Sequence, residues 1–234
     1  MKPFLSLKNI SKSFGEKKVL TNLSLDIYEG EILGLIGRSG CGKSTLIKIL
    51  VGYYIPDKGK ILLGKKDITR NFNEVKGLVG YTTQENSFYA KLTVYENMIY
   101  YADLYDVSKE QRKARINELL KAVKLTSARD TLAEDISGGM KRRLDFAVSL
   151  LHNPKLVILD EPTTGLDPIL VENFWKIVTD IVKKEKIAVL VSSHLLSEVK
   201  THCTKAGVMS EGRIKSVLTI TKDLNLESKF KKLT

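Results

Sequence analysis

The period of the apolar positions changes along this chain, and each change marks a different kind of element. Leu5 and Leu7, then Leu23, Leu25 and Ile27, alternate with polar neighbours, which predicts antiparallel strands with one wet face. Ile32-Leu33-Gly34-Leu35-Ile36 and Leu156-Val157-Ile158-Leu159 are instead continuous apolar runs, the pattern of parallel strands covered on both faces. Leu78-Val79-Gly80-Tyr81 and the run from Ile187 to Val191 read as further central strands. Between Thr93 and Leu151 the period becomes helical. Thr93 with Glu96, and Ser108 with Gln111, have capping-box spacing. Ile116, Leu119, Leu120 and Val123 then share one helical face, as do Leu144, Ala147, Val148 and Leu151. A hairpin around Glu211-Gly212 and a short Lys-rich helix close the chain.

The pattern predicts an α/β core with an antiparallel β subdomain and a helical block inserted near residues 86–150. No repeat, low-complexity tract or linker divides the 234 residues, a length that suits one large domain carrying an inserted subdomain. No apolar run approaches the ~20 residues of a membrane-spanning helix, and no signal-peptide pattern is expected at the N-terminus. Two cysteines cannot build a disulfide framework, so a reducing cytosol is the expected setting. The net charge of +11 suits polyanions. The lysines are scattered without interleaved aromatics, however, so no nucleic-acid platform is expected.

Gly37-Arg38-Ser39-Gly40-Cys41-Gly42-Lys43-Ser44-Thr45 follows a buried strand and opens a helix, the context that makes a Walker A phosphate loop credible. Its glycines let backbone N–H groups turn towards a phosphate where side chains would block the approach. Lys43 is expected to reach the β- and γ-phosphates, Ser44 to ligate Mg²⁺ and Thr45 to contact the α-phosphate. Cys41, inside the loop, is expected to be shielded by bound nucleotide. Lys155-Leu156-Val157-Ile158-Leu159-Asp160-Glu161 supplies a buried strand ending in two carboxylates. Asp160 can hold the hydration shell of Mg²⁺, and Glu161 can take a proton from an attacking water. Ser137-Gly138-Gly139 opens a second helix with free N–H groups that suit a phosphate, yet brings no lysine or metal ligand of its own.

Together the Walker A loop, Ser137-Gly138-Gly139 and Asp160-Glu161-Pro162-Thr163 resemble the nucleotide-binding subunit of an ABC transporter over essentially the whole chain. The resemblance implies a P-loop NTPase fold of the ABC-ATPase kind, and ATP hydrolysis coupled to transport. It implies that Gln84 matches the Q-loop, which touches Mg²⁺ and the lytic water and answers to the membrane subunit. His194 matches the switch histidine on the γ-phosphate. Asp167 in Gly165-Leu166-Asp167 matches the D-loop at the dimer interface, and Phe14 the aromatic that stacks on adenine.

The family mechanism implies two copies closing over two ATP molecules, with Ser137, Gly138 and Gly139 completing the partner's site. It also implies integral membrane subunits on separate chains, and hence a peripheral place on the cytoplasmic face of the cell membrane. Met140, Gly165-Leu166-Asp167-Pro168 and the ending Leu226-Glu227-Ser228-Lys229-Phe230-Lys231-Lys232-Leu233 are similar to the exporter branch. The alternative is a soluble ABC-type ATPase acting on nucleic acid or the ribosome. Against it stand the absence of long heptad coiled coils and of a second such domain.

Overall fold

The computed structural model describes residues 2–234. Strands β1 (Leu5–Phe14), β2 (Lys17–Ile27), β4 (Lys58–Leu63) and β5 (Lys66–Asp67) form an antiparallel sheet in the order β2-β1-β4-β5. A six-stranded sheet runs β10-β9-β3-β8-β7-β6. It comprises β3 (Ile32–Gly37), β6 (Val79–Thr82), β7 (Leu156–Asp160), β8 (Ala188–Ser192), β9 (Lys205–Ser210) and β10 (Arg213–Thr219). Neighbours from β9 to β6 are parallel, and β10 pairs antiparallel with β9 through the hairpin at Glu211-Gly212.

The continuous apolar runs have the cause the sequence suggested. Leu33 and Leu35 of β3, Leu156 and Ile158 of β7 and Leu190 of β8 enter one core, shared with the antiparallel sheet and α1 (Lys43–Leu50). Their neighbours Ile32, Ile36, Val157, Leu159, Val189 and Val191 enter the other, beneath the helices. Covering both faces leaves no position for a polar residue in mid-strand.

The helical block contains α3 (Val94–Leu104), α4 (Lys109–Ala122), a 3₁₀ turn (Thr126–Ala128) and α5 (Gly138–Ser149). Thr93 and Glu96 form the full reciprocal box. Ser108 forms only half of one, accepting from Gln111 N at 3.4 Å. The two predicted apolar helix faces are buried. Elements without a clear sequence signal include β4, β5 and α2 (Phe72–Leu78), which Asn71 caps through Glu74 N at 3.2 Å. Beyond β7 the chain adds α6 (Pro168–Glu185), α7 (Leu196–His202) and the predicted terminal helix α8 (Leu226–Leu233).

Strand β6 meets α5 so closely that a Cβ on Gly80 would lie 2.0 Å from the Ser149 carbonyl oxygen. Gly80→Ala is expected to cost about 3 kcal/mol through overpacking against main chain that cannot swing aside. Gly77→Ala, in α2 with nothing within 4 Å, should instead gain about 0.5–1 kcal/mol from helix propensity. Thermal unfolding of the two variants measures both.

Candidate functional site

Strand β3 delivers the phosphate loop at its C-terminal end, where open α/β sheets bind ligands. Gly40 (φ +78°) and Gly42 (φ +108°) take backbone conformations that side chains rarely adopt. Space above Gly40 is open, while a Cβ on Gly37 would meet the Met209 carbonyl oxygen at 2.4 Å. The loop is braced from below: Gly212 N donates to Cys41 O at 3.0 Å, and Thr21 N to Gly212 O at 3.0 Å. Lys43 folds back along the loop, donating to Gly37 O at 2.6 Å and Arg38 O at 3.3 Å.

The β7–β8 pairing sets Asp160 beside Ser192. The Ser192 hydroxyl donates to Asp160 Oδ1, and the Tyr81 hydroxyl reaches Asp160 Oδ2 at 3.4 Å. Burial first, then the Asp160 charge, push the Tyr81 phenol up to about 12, so it stays a donor. Glu161 leaves the strand in a left-handed conformation (φ +47°), uncommon for a residue with a side chain. Its carboxylate is met from three directions: by Gln84 Nε2, Thr164 Oγ1 and His194 Nδ1, each at 3.4 Å.

Most of these groups line one cavity of about 550 Å³. It gathers Phe14, Gly37, Ser39, Gly40, Gly42, Lys43, Ser44, Thr45, Gln84, Asp160, Glu161 and His194. Phe14 is exposed at the rim, with Tyr54 edge-on at 5.1 Å between ring centres and the Lys12 ammonium 5.6 Å from its ring. Not every expected residue lines the cavity. Cys41 is buried, its sulfur 3.9 Å from Lys43 Nζ beneath the loop. A bulky thiol reagent therefore meets core packing before it meets a ligand, contrary to the expectation of a nucleotide-shielded thiol. Arg38 contributes its carbonyl to Lys43 while its side chain is exposed.

Ser137, Gly138, Gly139 and Asp167 form a separate group. Ser137 caps α5 by accepting from Met140 N at 3.3 Å, and a Cβ on Gly139 would lie 2.9 Å from Leu170 of α6. Asp167 caps α6 through Leu170 N at 3.0 Å.

Several site residues escaped sequence reasoning. Ser192 and Tyr81 act through cross-strand register, which no local motif reports. Arg142 of α5 donates to Thr83 O at 3.1 Å and to Gln84 O, and Asp145 accepts from Ser87 N at 3.0 Å and Ser87 Oγ at 2.9 Å. The helix that begins at Ser137-Gly138-Gly139 is thus tied to the segment carrying Gln84. A polar pair on the buried side of a helix was the available signal.

The donor set suits Mg²⁺ and nucleotide. Ser44, Asp160 and Gln84 offer hard oxygen atoms to the cavity, and among the described residues no cluster of three or more His, Cys, Asp or Glu could hold a metal by itself. Mg²⁺ is typically held by one or two carboxylates plus phosphates and waters.

A glycine loop between a buried strand and a helix, beside a strand ending in a carboxylate, defines a P-loop nucleotide-binding domain. The chain belongs to the ABC transporter family, whose model matches residues 20–164. It is 36% identical over 218 residues to the uncharacterized ABC transporter ATP-binding protein YdbJ of Bacillus subtilis (strain 168), covering 93% of this chain and 70% of that one. It is 36% identical over 213 residues to the lipopolysaccharide export system ATP-binding protein LptB of Haemophilus influenzae, covering 90% and 88%. The structure of cbiO1 from Clostridium perfringens, part of the ABC transporter complex cbiONQ, superposes with a TM-score of 0.87 at 26% identity, covering 99% and 92%. This chain is therefore an ATP-binding subunit of the family whose ATP hydrolysis powers transport.

Asp145 generates a pH prediction. Burial pushes its carboxyl from 3.8 up to about 6, and its Oδ2 has no hydrogen-bond partner. A raised carboxyl pKa means that the folded state holds more protons than the unfolded state between those values. The cost is absent below pH 3.8, grows as pH rises and is complete above about 6. Relative to Asp145→Asn, the wild type should lose on the order of 2 kcal/mol of stability as pH rises across that window. Denaturant unfolding of both proteins between pH 4 and pH 7 reads the difference; parallel pH profiles would contradict it.

Proposed function

We propose that this chain energises an ABC exporter from the cytoplasmic face of the cell membrane, as a peripheral subunit bound to integral membrane subunits on separate chains. The convergence of Gln84, Thr164 and His194 on the Glu161 carboxylate, beside the phosphate loop, is the observation that carries the catalytic part. Glu161 takes a proton from water as the water oxygen attacks the γ-phosphorus, and ADP is the leaving group. Gln84 and His194 orient the water and the γ-phosphate. Lys43 exchanges its loop carbonyls for β- and γ-phosphate oxygens, and backbone N–H groups from Ser39 to Thr45 surround the phosphates. Ser44, Asp160 and Gln84 would hold Mg²⁺, whose charge offsets that developing on the phosphate oxygens. Phe14, buttressed by Tyr54, offers its face to adenine.

Separation of Ser137, Gly138, Gly139 and Asp167 from the cavity supports a shared site, in which these residues complete the ATP site of a second copy on dimer closure. Among the described residues no helix is long and apolar enough to cross a membrane; in this reading the integral membrane subunits supply the pore. Export is favoured by Met140, by the tail from Leu226 to Leu233, and by the relative named for lipopolysaccharide export.

Glu161→Gln should retain Mg-ATP binding and lose ~10²–10⁴-fold of turnover, the usual general-base contribution; near-normal phosphate release would overturn the assignment. Phe14→Ala should weaken ATP binding by ~1–3 kcal/mol, the scale of base stacking in nucleic-acid complexes, while Phe14→Tyr should preserve it, as read by nucleotide titration.

Mixing tests the shared site. Lys43→Ala and Ser137→Arg should each be nearly inactive alone. A mixture should recover hydrolysis, because one site of the heterodimer is then free of both lesions. Flat activity, with heterodimers demonstrated and a linked wild-type/double-variant dimer active, would refute sharing.

A further inference from the structure

Glu198, in the first turn of α7, is a buried carboxylate with only 8% of its surface exposed. Its two oxygens accept from three neutral donors on three separate segments. The Thr163 hydroxyl and Trp175 Nε1, at 2.8 Å, share Oε1, and the Ser193 hydroxyl reaches Oε2 at 2.9 Å. No lysine or arginine pairs with it among the described residues. Burying a carboxylate is costly, and an apolar side chain of similar size is often at least as stable in such a place. A stabilising bolt alone is a weak account of it.

The positions of the donors supply a better one. Thr163 stands two residues after Glu161, in a turn closed by Thr164 N to Glu161 O at 3.3 Å and Leu166 N to Thr163 O at 3.1 Å. Ser193 immediately precedes His194, and its oxygen also accepts from Leu195 N at 3.0 Å. One carboxylate therefore fixes the chain on both sides of His194 and the turn that issues from Glu161. Trp175 anchors the carboxylate to α6, with its indole stacked on His202 at 5.0 Å and 5° between planes. His194 and Glu161 themselves meet at 3.4 Å, at the edge of hydrogen-bond reach. Small shifts of either loop would change that contact.

We infer that Glu198 is a positioning residue: it locks the His194 loop to the Glu161–Leu166 turn, and the lock governs turnover rather than nucleotide affinity. The inference rests on the ATPase reading given above and adds to it a residue outside the cavity. Hydrogen bonds from hydroxyl and indole groups to a charged acceptor are short and directional, which suits a lock between segments that must move together.

Glu198→Gln keeps the shape but replaces one acceptor oxygen with a donor. It should lower kcat for ATP roughly 10- to 100-fold, the scale of a misplacement of about 1 Å, and leave the Kd for Mg-ATP unchanged. Thr163→Val should lower kcat likewise, and Thr163→Ser, which restores the hydroxyl, should recover it. Glu198→Gln combined with Thr163→Val should be no slower than the slower single variant, because residues acting as a unit are not additive.

Trp175 is the only tryptophan in the chain, so its emission reads the lock without turnover. Mg-ATP should change it in the wild type and not in Glu198→Gln. Thr163→Val and Ser193→Ala, each deleting one bond, carry the same test if Glu198→Gln does not fold. Folded variants with wild-type kcat, or lower thermal stability with kcat intact, would reduce Glu198 to a structural bolt and overturn the inference. A wild-type chain that binds no nucleotide would overturn the ATPase reading and this inference with it, a result distinguishable because it needs no variant.

Discussion

Leu156 pairs with Ala188, and four further pairs follow in step until Asp160 stands opposite Ser192. Glu161 N continues the alignment one residue past the strand by donating to Ser192 O at 3.1 Å. Because β8 also pairs with β3, the same register fixes where the phosphate loop lies relative to the carboxylates. A slip by one residue would exchange the two faces of β7, forcing Leu156 and Ile158 into the core that Val157 and Leu159 now fill. Two-sided burial thus specifies the placement of Asp160 and Glu161 far more strictly than any contact within the cavity.

The antiparallel sheet contributes to the site from outside this register. It carries Phe14 at the end of β1, and Asp57, just before β4, ties that strand end to its own segment by accepting from Ser13 N at 2.7 Å and Lys12 Nζ at 2.8 Å. At the other end of the site, Gly212 joins the β9–β10 hairpin to Cys41 of the phosphate loop and to Thr21 of β2. A Cβ there would meet Val19 O at 2.2 Å, so the three segments can close together only around a glycine.

Much of this was legible in the sequence. The switch from alternating to continuous apolar runs separated the antiparallel strands from the central ones, since the number of covered faces writes itself into the period. The phosphate loop was legible because its chemistry needs glycines at fixed spacing next to a lysine. Strand β4 was obscured by lysines at Lys58 and Lys60 and β5 by its two-residue length. What depended on tertiary register stayed hidden: Ser192 and Tyr81 on Asp160, Arg142 on the Gln84 segment, and the burial of Cys41. Local spacing does not report which side chain a neighbouring strand or helix will present.

Lys43 has a further consequence. Its ammonium has three protons, and it already faces Gly37 O, Arg38 O and Cys41 Sγ. A molecule entering the loop does not find a bare cation; it must win one from neutral partners. Those carbonyls carry no net charge, so a multiply charged phosphate gains Coulomb attraction by the exchange. An uncharged sugar or amide merely replaces one neutral acceptor with another. The geometry of Lys43 thus favours anionic over neutral ligands without any steric barrier.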